Sequence, residues 1–214
     1  MRRFTSQFVR PGHLVFDVGA NRGEYSEMYA ALGASVVAVE PNPELVEIVR
    51  ARVPNAIVEE AAVGAVEGTA DLWRGADDGD STLSKEYRAV LARTIHATMH
   101  PLRVRVTTLD SLIARHGVPH FVKIDVEGFE EAVLRGLTAR PAALSFEFHA
   151  ALLGELEKCL TRLPDYQFRI AVGYDFSWQT EWVGAGAILH RARELSDGEP
   201  SLFGDVYALD TLLE

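Results

Sequence analysis

The chain has 214 residues, of which 48% are hydrophobic and 24% charged, and this length and composition predict a single folded domain over residues 1–214. Its formal net charge of −10 argues against a nucleic-acid-binding protein and against binding to anionic membranes, and favours a neutral or cationic small-molecule substrate. The single cysteine excludes an intramolecular disulfide, and the absence of a signal core or of an apolar run near the roughly 18 residues of a membrane span predicts a cytoplasmic protein.

The first third of the chain alternates short apolar runs with amphipathic segments. Apolar runs at 14–18, 35–39 and 56–63 are typical of buried strands. Between them, apolar residues recur at helical spacing over residues 24–32 and in a segment that follows Asn42 and Pro43, a helix cap and a favoured first helical residue. This alternation predicts parallel strands joined by right-handed crossovers.

The pattern is interrupted between about residues 64 and 108. Short strands are predicted at 70–73 and 103–108, with a polar and then helical segment between them. A long insertion of this kind in a compact α/β domain is usually functional or mobile.

The second half returns to the alternation. It predicts a strand at 121–126, a helix from about residue 129 that Gly136 ends, a strand at 143–148 and a helix with a leucine stripe over 152–163. Two late segments, 167–172 and 185–190, are candidates to close the sheet. The expected fold is a doubly wound α/β domain with a mostly parallel sheet and a β/helical insertion.

A glycine-containing loop follows the first predicted strand, and residues 17–23 read DVGANRG. Ligands of open α/β sheets bind at the carboxyl ends of the strands. Gly19 and Gly23 would let the backbone approach a ligand closely, with Asp17 just before the loop and Asn21 inside it. Such a turn is also common in α/β proteins that bind no ligand at this position.

The identity of the ligand depends on a second acidic residue. Glu40 ends the second strand at the spacing of a ribose-binding acid in dinucleotide folds, where a carboxylate accepts hydrogen bonds from ribose hydroxyls. The loop lacks the middle glycine of G-x-G-x-x-G, and Asp17 would repel a pyrophosphate but attract an ammonium and a sulfonium. The sequence therefore favours S-adenosylmethionine. A nicotinamide-dependent oxidoreductase and a non-catalytic Rossmann-like binding module remain alternatives.

A second group of polar residues lies at the ends of two later strands. Alternation puts Asp125 and Glu127 on one side of their strand, where they are candidates for a general base, a cation ligand or a group that orients a hydroxyl. His149 is a further candidate base because its ordinary pKa lies near neutral pH. Glu147 and His149 could form a divalent-metal site with Asp125, but the sequence shows no metal-ligand spacing such as H-E-x-x-H, and we assign no metal.

Four segments together resemble the FkbM family of S-adenosylmethionine-dependent methyltransferases. They are FDVGANRG at 16–23, VEPNP at 39–43, TLDSL at 108–112 and VKIDVEGFE at 122–130, of which KIDVEG is the most specific. The resemblance extends from about residue 14 to 149. It implies a seven-stranded methyltransferase sheet with its last strand antiparallel, and methyl transfer to a hydroxyl of a sugar or a natural product.

The resemblance also implies roles for individual residues. The glycine loop would hold the methionine end of the cofactor, Glu40 the ribose, and Glu60 and Ala61 would lie beside the adenine. Asp125 would face the transferring methyl group, and residues 81–83, Ser-Thr-Leu, would make a lid contact.

Little chain precedes the first strand, so we expect the insertion or the segment at about 149–184 to select the acceptor. Trp73, Trp178, Trp182 and Tyr174 either line an acceptor pocket or belong to the core, and the core is the safer expectation.

Overall fold

A computed structural model describes residues 2–75, 81–94, 99–173 and 177–212. In chain order its strands are β1 (Leu14–Val18), β2 (Ser35–Glu40), β3 (Ile57–Glu60), β4 (Ala62–Val63), β5 (Gly68–Arg74), β6 (His100–Thr107), β7 (Phe121–Ile124), β8 (Ala143–His149), β9 (Tyr166–Val172) and β10 (Phe203–Asp210). Seven of them form one sheet in the order β3-β2-β1-β7-β8-β10-β9. The first five of this order are parallel, and β10 is antiparallel to both of its neighbours.

Helices cover both faces of this sheet. They are α1 (Arg2–Thr5), α2 (Glu24–Ala31), α3 (Pro43–Arg52), α4 (Lys85–Thr94), α5 (Leu109–His116), α6 (Glu130–Arg135), α7 (Leu153–Thr161) and α8 (Ala185–Ser196), with a 3₁₀ turn at Ala150–Leu152. Because side chains alternate along a strand, Phe16 packs with α5 to α8 and Val15 packs with α2 and α3. The doubly wound, mostly parallel seven-stranded sheet is thus confirmed, as is the antiparallel last strand. Within the described parts of the chain, no helix is both long and apolar enough to cross a membrane.

The insertion forms a small second sheet in the order β4-β6-β5. The strands predicted at 70–73 and 103–108 correspond to β5 and β6, which pair antiparallel. The prediction of a single strand at 56–63 is wrong, because the chain leaves the main sheet at Ala61. There β3 ends as the edge strand and β4 begins in the second sheet, parallel to β6. Residues 57–63 therefore join the two sheets at the carboxyl end of β2.

The end of the chain differs from the sequence prediction. Residues 167–172 do form a strand, but residues 185–190 begin helix α8, in which Ile188 and Ala192 are both fully buried at a spacing of four. The strand that completes the sheet is β10, which the sequence analysis did not predict. It lies between β8 and β9 and brings its own residues next to the carboxyl end of β8.

Candidate active site

The loop after β1 is fixed to the neighbouring strands. The backbone N–H groups of Gly19 and Ala20 donate to the carbonyl of Val39 at 2.9 and 3.1 Å. Gly19 has a φ of +81°, and a Cβ atom there would overlap the backbone carbonyl of Asp125. Asn21 also has a positive φ, 49°, a conformation uncommon for a residue with a side chain. Gly19 is therefore required by the close approach of β1 and β7.

Glu40 is held in one orientation at the end of β2. Its Oε2 atom accepts a hydrogen bond from Asn21 N and its Oε1 atom accepts one from Asn42 N, both at 2.9 Å. The residue is 6% exposed, and it lines a cleft with about 670 Å³ of space, part of it open to solvent. A carboxylate oxygen has two lone pairs, so an oxygen that accepts one backbone hydrogen bond can also accept one from a hydroxyl group.

The cleft beside Glu40 has an apolar part and an acidic part. Val39, Ala61 and Val63 contribute apolar surface next to Glu40, and Asp125 and Glu127 line the same cleft. Apolar walls suit a flat base, a fixed carboxylate suits a ribose, and further carboxylates suit a cationic group. The residues present therefore fit a nucleoside with a cationic substituent and do not fit a pyrophosphate.

Three residues assigned to the cofactor from the sequence lie outside the lining of this cleft. Asp17 is 1% exposed beneath the loop, where the Ser26 hydroxyl donates to its Oδ2 at 2.6 Å, and burial raises the pKa of its carboxyl. Gly23 starts helix α2 and faces the side chain of Val49. Glu60 is exposed, whereas its neighbour Ala61 is buried and lines the cleft.

A second cavity of about 1080 Å³, also partly open to solvent, adjoins the first. Gly19, Asn21, Asp125 and Glu127 line both. The lining that belongs to the second cavity alone includes Arg22, Glu24, Tyr25, Lys123, Glu147, Gly173, Phe203 and Asp205. The carboxylates shared by the two cavities thus stand between the first cleft and a second space whose lining contains both acidic and basic side chains.

Lys123 is a buried cation at the centre of these carboxylates. Its Nζ atom lies 2.5 Å from Oδ2 of Asp125 and 4.3 Å from the centre of the Tyr25 ring. Burial alone would raise the pKa of Asp125, but the ammonium group beside it, together with Glu147 and His149, holds that pKa below its usual value. Asp125 is therefore ionised at neutral pH and fixed in position.

Glu127, Glu147 and His149 form a cluster beside Asp125, which we call the carboxylate–histidine cluster. Nε2 of His149 lies 3.1 Å from Oε2 of Glu147 and 3.6 Å from Oε2 of Glu127. Glu127 has a φ of 56°, which turns it out of the line of β7. Burial, and then repulsion from neighbouring carboxylates, raises the pKa of both Glu127 and Glu147.

Glu130, three residues after Glu127, has a structural role at the start of α6. Its Oε1 atom accepts hydrogen bonds from Val126 N and Gly128 N at 3.1 and 3.2 Å, at the start of α6. Burial raises the pKa of Glu130 to about 7. Glu127 instead lines both cavities.

The sequence analysis missed Asp205 and gave no role to Lys123 or Tyr25. Asp205 pairs with Glu147 across β8 and β10, and its burial, partly offset by Lys123, raises the pKa of its carboxyl to about 6. The signal for Lys123 was present, since it shares a strand face with Asp125. Asp205 had no such signal because its strand was not predicted.

The second sheet contacts the site through residues 81–83. Ser81 and Leu83 line the first cleft, and the hydroxyl of buried Thr82 donates to the backbone carbonyl of Glu127 at 2.6 Å. The ring of Tyr87 in α4 lies 4.5 Å from the ring of His149, tilted by 33°. The insertion therefore lies directly against the residues of the site.

The tryptophans are placed mainly in packing contacts. Trp178 and Trp182 pack against Phe8 in an aromatic group on the α2 face of the sheet. The ring of Trp73 lies 4.2 Å from the guanidinium of Arg88. The predicted position Tyr174 lies outside the described residues, and the segment at 149–184 contributes Gly173 to the second cavity.

Comparisons with known proteins agree with this geometry. The family profile described as "Methyltransferase FkbM domain" matches residues 17–170. A precorrin-6y C5,15-methyltransferase from Geobacter metallireducens GS-15 is 13% identical, with 98% of this chain and 87% of that chain covered and a TM-score of 0.50. Protein 1320 of Thermoplasma acidophilum is 12% identical, with 98% and 81% covered and a TM-score of 0.51. At such low identity these structures show the fold alone. No curated protein sequence matches the chain.

Proposed function

Because this chain belongs to the FkbM family of methyltransferases, we propose that it methylates a hydroxyl group of a sugar or another natural product of small size. Its cofactor is S-adenosylmethionine. The observation that supports a small acceptor is the second cavity, which shares Asp125 and Glu127 with the cofactor cleft. An acceptor in that cavity would meet the cofactor at those carboxylates.

The cofactor residues follow from the cleft. Glu40 would accept hydrogen bonds from the ribose hydroxyls, and Val39 and Ala61 would pack beside the adenine. Asn21 and Gly19 would lie along the methionine part. Asp125, held by Lys123, would face the cationic centre. When bound there, S-adenosylmethionine supplies an activated methyl group, so the protein has two tasks, to align an acceptor and to take up its proton.

A hydroxyl acceptor requires a group that takes up its proton. Asp125, Glu127 and His149 are the candidates assigned from the sequence, and the last two belong to the carboxylate–histidine cluster. This concentration of proton acceptors suits an acceptor that must lose a proton, as a hydroxyl group must. The family match argues against the alternatives of a nicotinamide-dependent oxidoreductase and of a binding module without catalysis.

The test is methyl transfer from labelled S-adenosylmethionine to a panel of sugars, phenols and amines, with the product analysed by mass spectrometry. We expect label on oxygen of at least one hydroxyl acceptor. Glu40→Ala should weaken cofactor binding on the order of a hundredfold, since it removes charge-assisted hydrogen bonds worth about 1.5–3 kcal/mol each. The exposed Glu47→Ala, on α3 outside the cleft, is the matched control and should bind normally.

The outcomes separate the levels of the proposal. Label found only on nitrogen would reject the hydroxyl acceptor and leave the methyltransferase assignment intact. Binding of NADH in place of S-adenosylmethionine, measured by calorimetry, would reject both the hydroxyl acceptor and the methyltransferase assignment.

A further inference from the structure

Three potential ligand atoms of the carboxylate–histidine cluster converge on one point. One nitrogen of His149 and one carboxylate oxygen each of Glu127 and Glu147 all lie within 4.8 Å of one another. They come from two adjacent parallel strands: Glu147 and His149 share a face of β8, and Glu127 follows β7. The backbone therefore places these three residues next to one another.

The distances have the values expected around a single metal ion. Ligand atoms at about 2.1 Å from a common ion are separated by about 3.0 Å at an angle of 90° and by about 3.6 Å at an angle near 120°. The separations from His149 Nε2 to Glu147 and Glu127 are 3.1 and 3.6 Å. Two of the three separations thus match those of ligands around one ion, and the third, between the carboxylates of Glu127 and Glu147, is within 4.8 Å.

Two of these atoms lack a hydrogen-bond partner. Glu147 Oε2 and His149 Nε2 are both buried and make no hydrogen bond. Their side chains are 12% and 13% exposed, so bulk water does not replace the missing partners. Buried polar atoms in folded proteins are nearly always satisfied. Lys123, a cation that acts on the Glu147 carboxylate, is already paired with Asp125.

We propose that Glu127, Glu147 and His149 bind one divalent transition-metal ion at the acceptor end of the active site. Two carboxylates and an imidazole suit ions such as Mn²⁺ or Zn²⁺ better than Mg²⁺, which prefers oxygen ligands only. Glu127 and Glu147 border the second cavity, so the remaining coordination positions open toward the acceptor. The role of the ion would be to bind and orient an acceptor oxygen, and this role rests on the proposed function. The binding of the ion to the protein does not.

The test is Mn²⁺ binding to the full chain without acceptor, measured by the loss of the free Mn²⁺ signal in electron paramagnetic resonance and by calorimetry. We expect one ion per chain. Glu127→Gln, Glu147→Gln and His149→Gln should each weaken binding by about tenfold or more, because each removes a ligand. A cooperative urea unfolding transition like that of the wild type shows that a variant is folded, and the more exposed Glu127 serves if substitution of Glu147 prevents folding.

Glu59→Gln is the matched control. Oε1 of Glu59 lies 2.9 Å from Nε2 of His116, but Arg105 and Arg115 also pair with this carboxylate, so it has no need of a metal ion. We expect unchanged Mn²⁺ affinity in this variant.

Wild-type protein that binds no Mn²⁺, or binding that survives all three substitutions in the cluster, would overturn the site. Hydroxyl methylation by metal-free protein that takes up no Mn²⁺ would overturn the inference while the proposed function stands. Mn²⁺ binding without hydroxyl methylation would reject the proposed function and leave the metal site intact.

Discussion

Gly19 shows how one residue sets the distance between two strands that carry the site. Its positive φ and its contact with the Asp125 carbonyl are separate constraints. Gly12 has a similar φ, +83°, but no heavy atom within 4 Å of a Cβ built there. Substitution of Gly12 therefore tests backbone strain alone, whereas substitution of Gly19 tests backbone strain together with steric overlap.

We expect Gly12→Ala to lower the free energy of unfolding by about 1 kcal/mol, the cost of a left-handed alanine. Gly19→Ala should cost several kcal/mol, because β1 and β7 must separate, and should also weaken S-adenosylmethionine binding. Denaturant unfolding and calorimetry measure the two effects. Equal losses of stability in both variants would show that the overlap with Asp125 is relieved at little cost.

At the scale of elements, the second sheet is attached to the catalytic edge of the first. The hydrogen bond from Thr82 to the carbonyl of Glu127 joins the insertion to a residue with an unusual φ. Loss of this bond would leave a buried carbonyl without its partner.

We expect Thr82→Val to raise the dissociation constant for S-adenosylmethionine severalfold, since Ser81 and Leu83 would no longer be held against the cleft. The expected loss is about 1 kcal/mol. Thr82→Ser retains the hydroxyl and should bind as the wild type does. Calorimetric titration makes the comparison, and equal affinities of the valine and serine variants would show that the hydrogen bond does not position the insertion.

Elements with a strong local pattern were predicted correctly, and those that depend on packing were not. Strand β1 and helix α3 follow from an apolar run and from Asn42, whose side chain accepts from Glu44 N as a helix cap should. Residues 185–190 are apolar enough for a strand, and only the buried spacing of Ile188 and Ala192 identifies the helix. Strand β10 contains Gly204, which is required because a Cβ there would overlap the Ala171 carbonyl. Local propensity disfavours glycine in a strand, so the sequence concealed this element.

Residues of the site also differ in whether local sequence or the packing of the sheet determines their position. Glu40 and Asp125 were predicted because they end strands whose neighbours could be inferred. Asp17 was assigned to the ligand, yet alternation along β1 places it beneath the loop. Asp205 could not be found, because its position depends on the order of strands in the completed sheet.

At the scale of the whole molecule, buried carboxyl groups make stability depend on pH. Burial raises the pKa of Glu130 from 4.5 to about 7. A carboxyl whose pKa is raised by folding contributes stability that is present below its unfolded pKa and is lost as the pH rises through its folded pKa.

Wild-type protein should therefore lose stability relative to Glu130→Gln as the pH rises from 5 to 8. The expected change in the difference between the two unfolding free energies is about 2–3 kcal/mol, at 1.36 kcal/mol per pKa unit. Urea unfolding at several pH values measures it. Comparison with this variant removes the opposing effect of carboxyls with lowered pKa, such as Asp125 and Glu59. A difference that does not vary with pH would show that Glu130 titrates normally.

The position of β10 has a consequence for synthesis on the ribosome. The strands around Glu40 are complete once residue 60 has emerged, but β10 lies between β8 and β9 and follows both in the chain. Until residues 203–210 are made, β8 and β9 each expose an unpaired edge, which is a hazard for aggregation. The nascent chain can therefore pair the strands that carry Glu40 early, whereas the part of the sheet that contains Asp205 forms only when its last strand has been made.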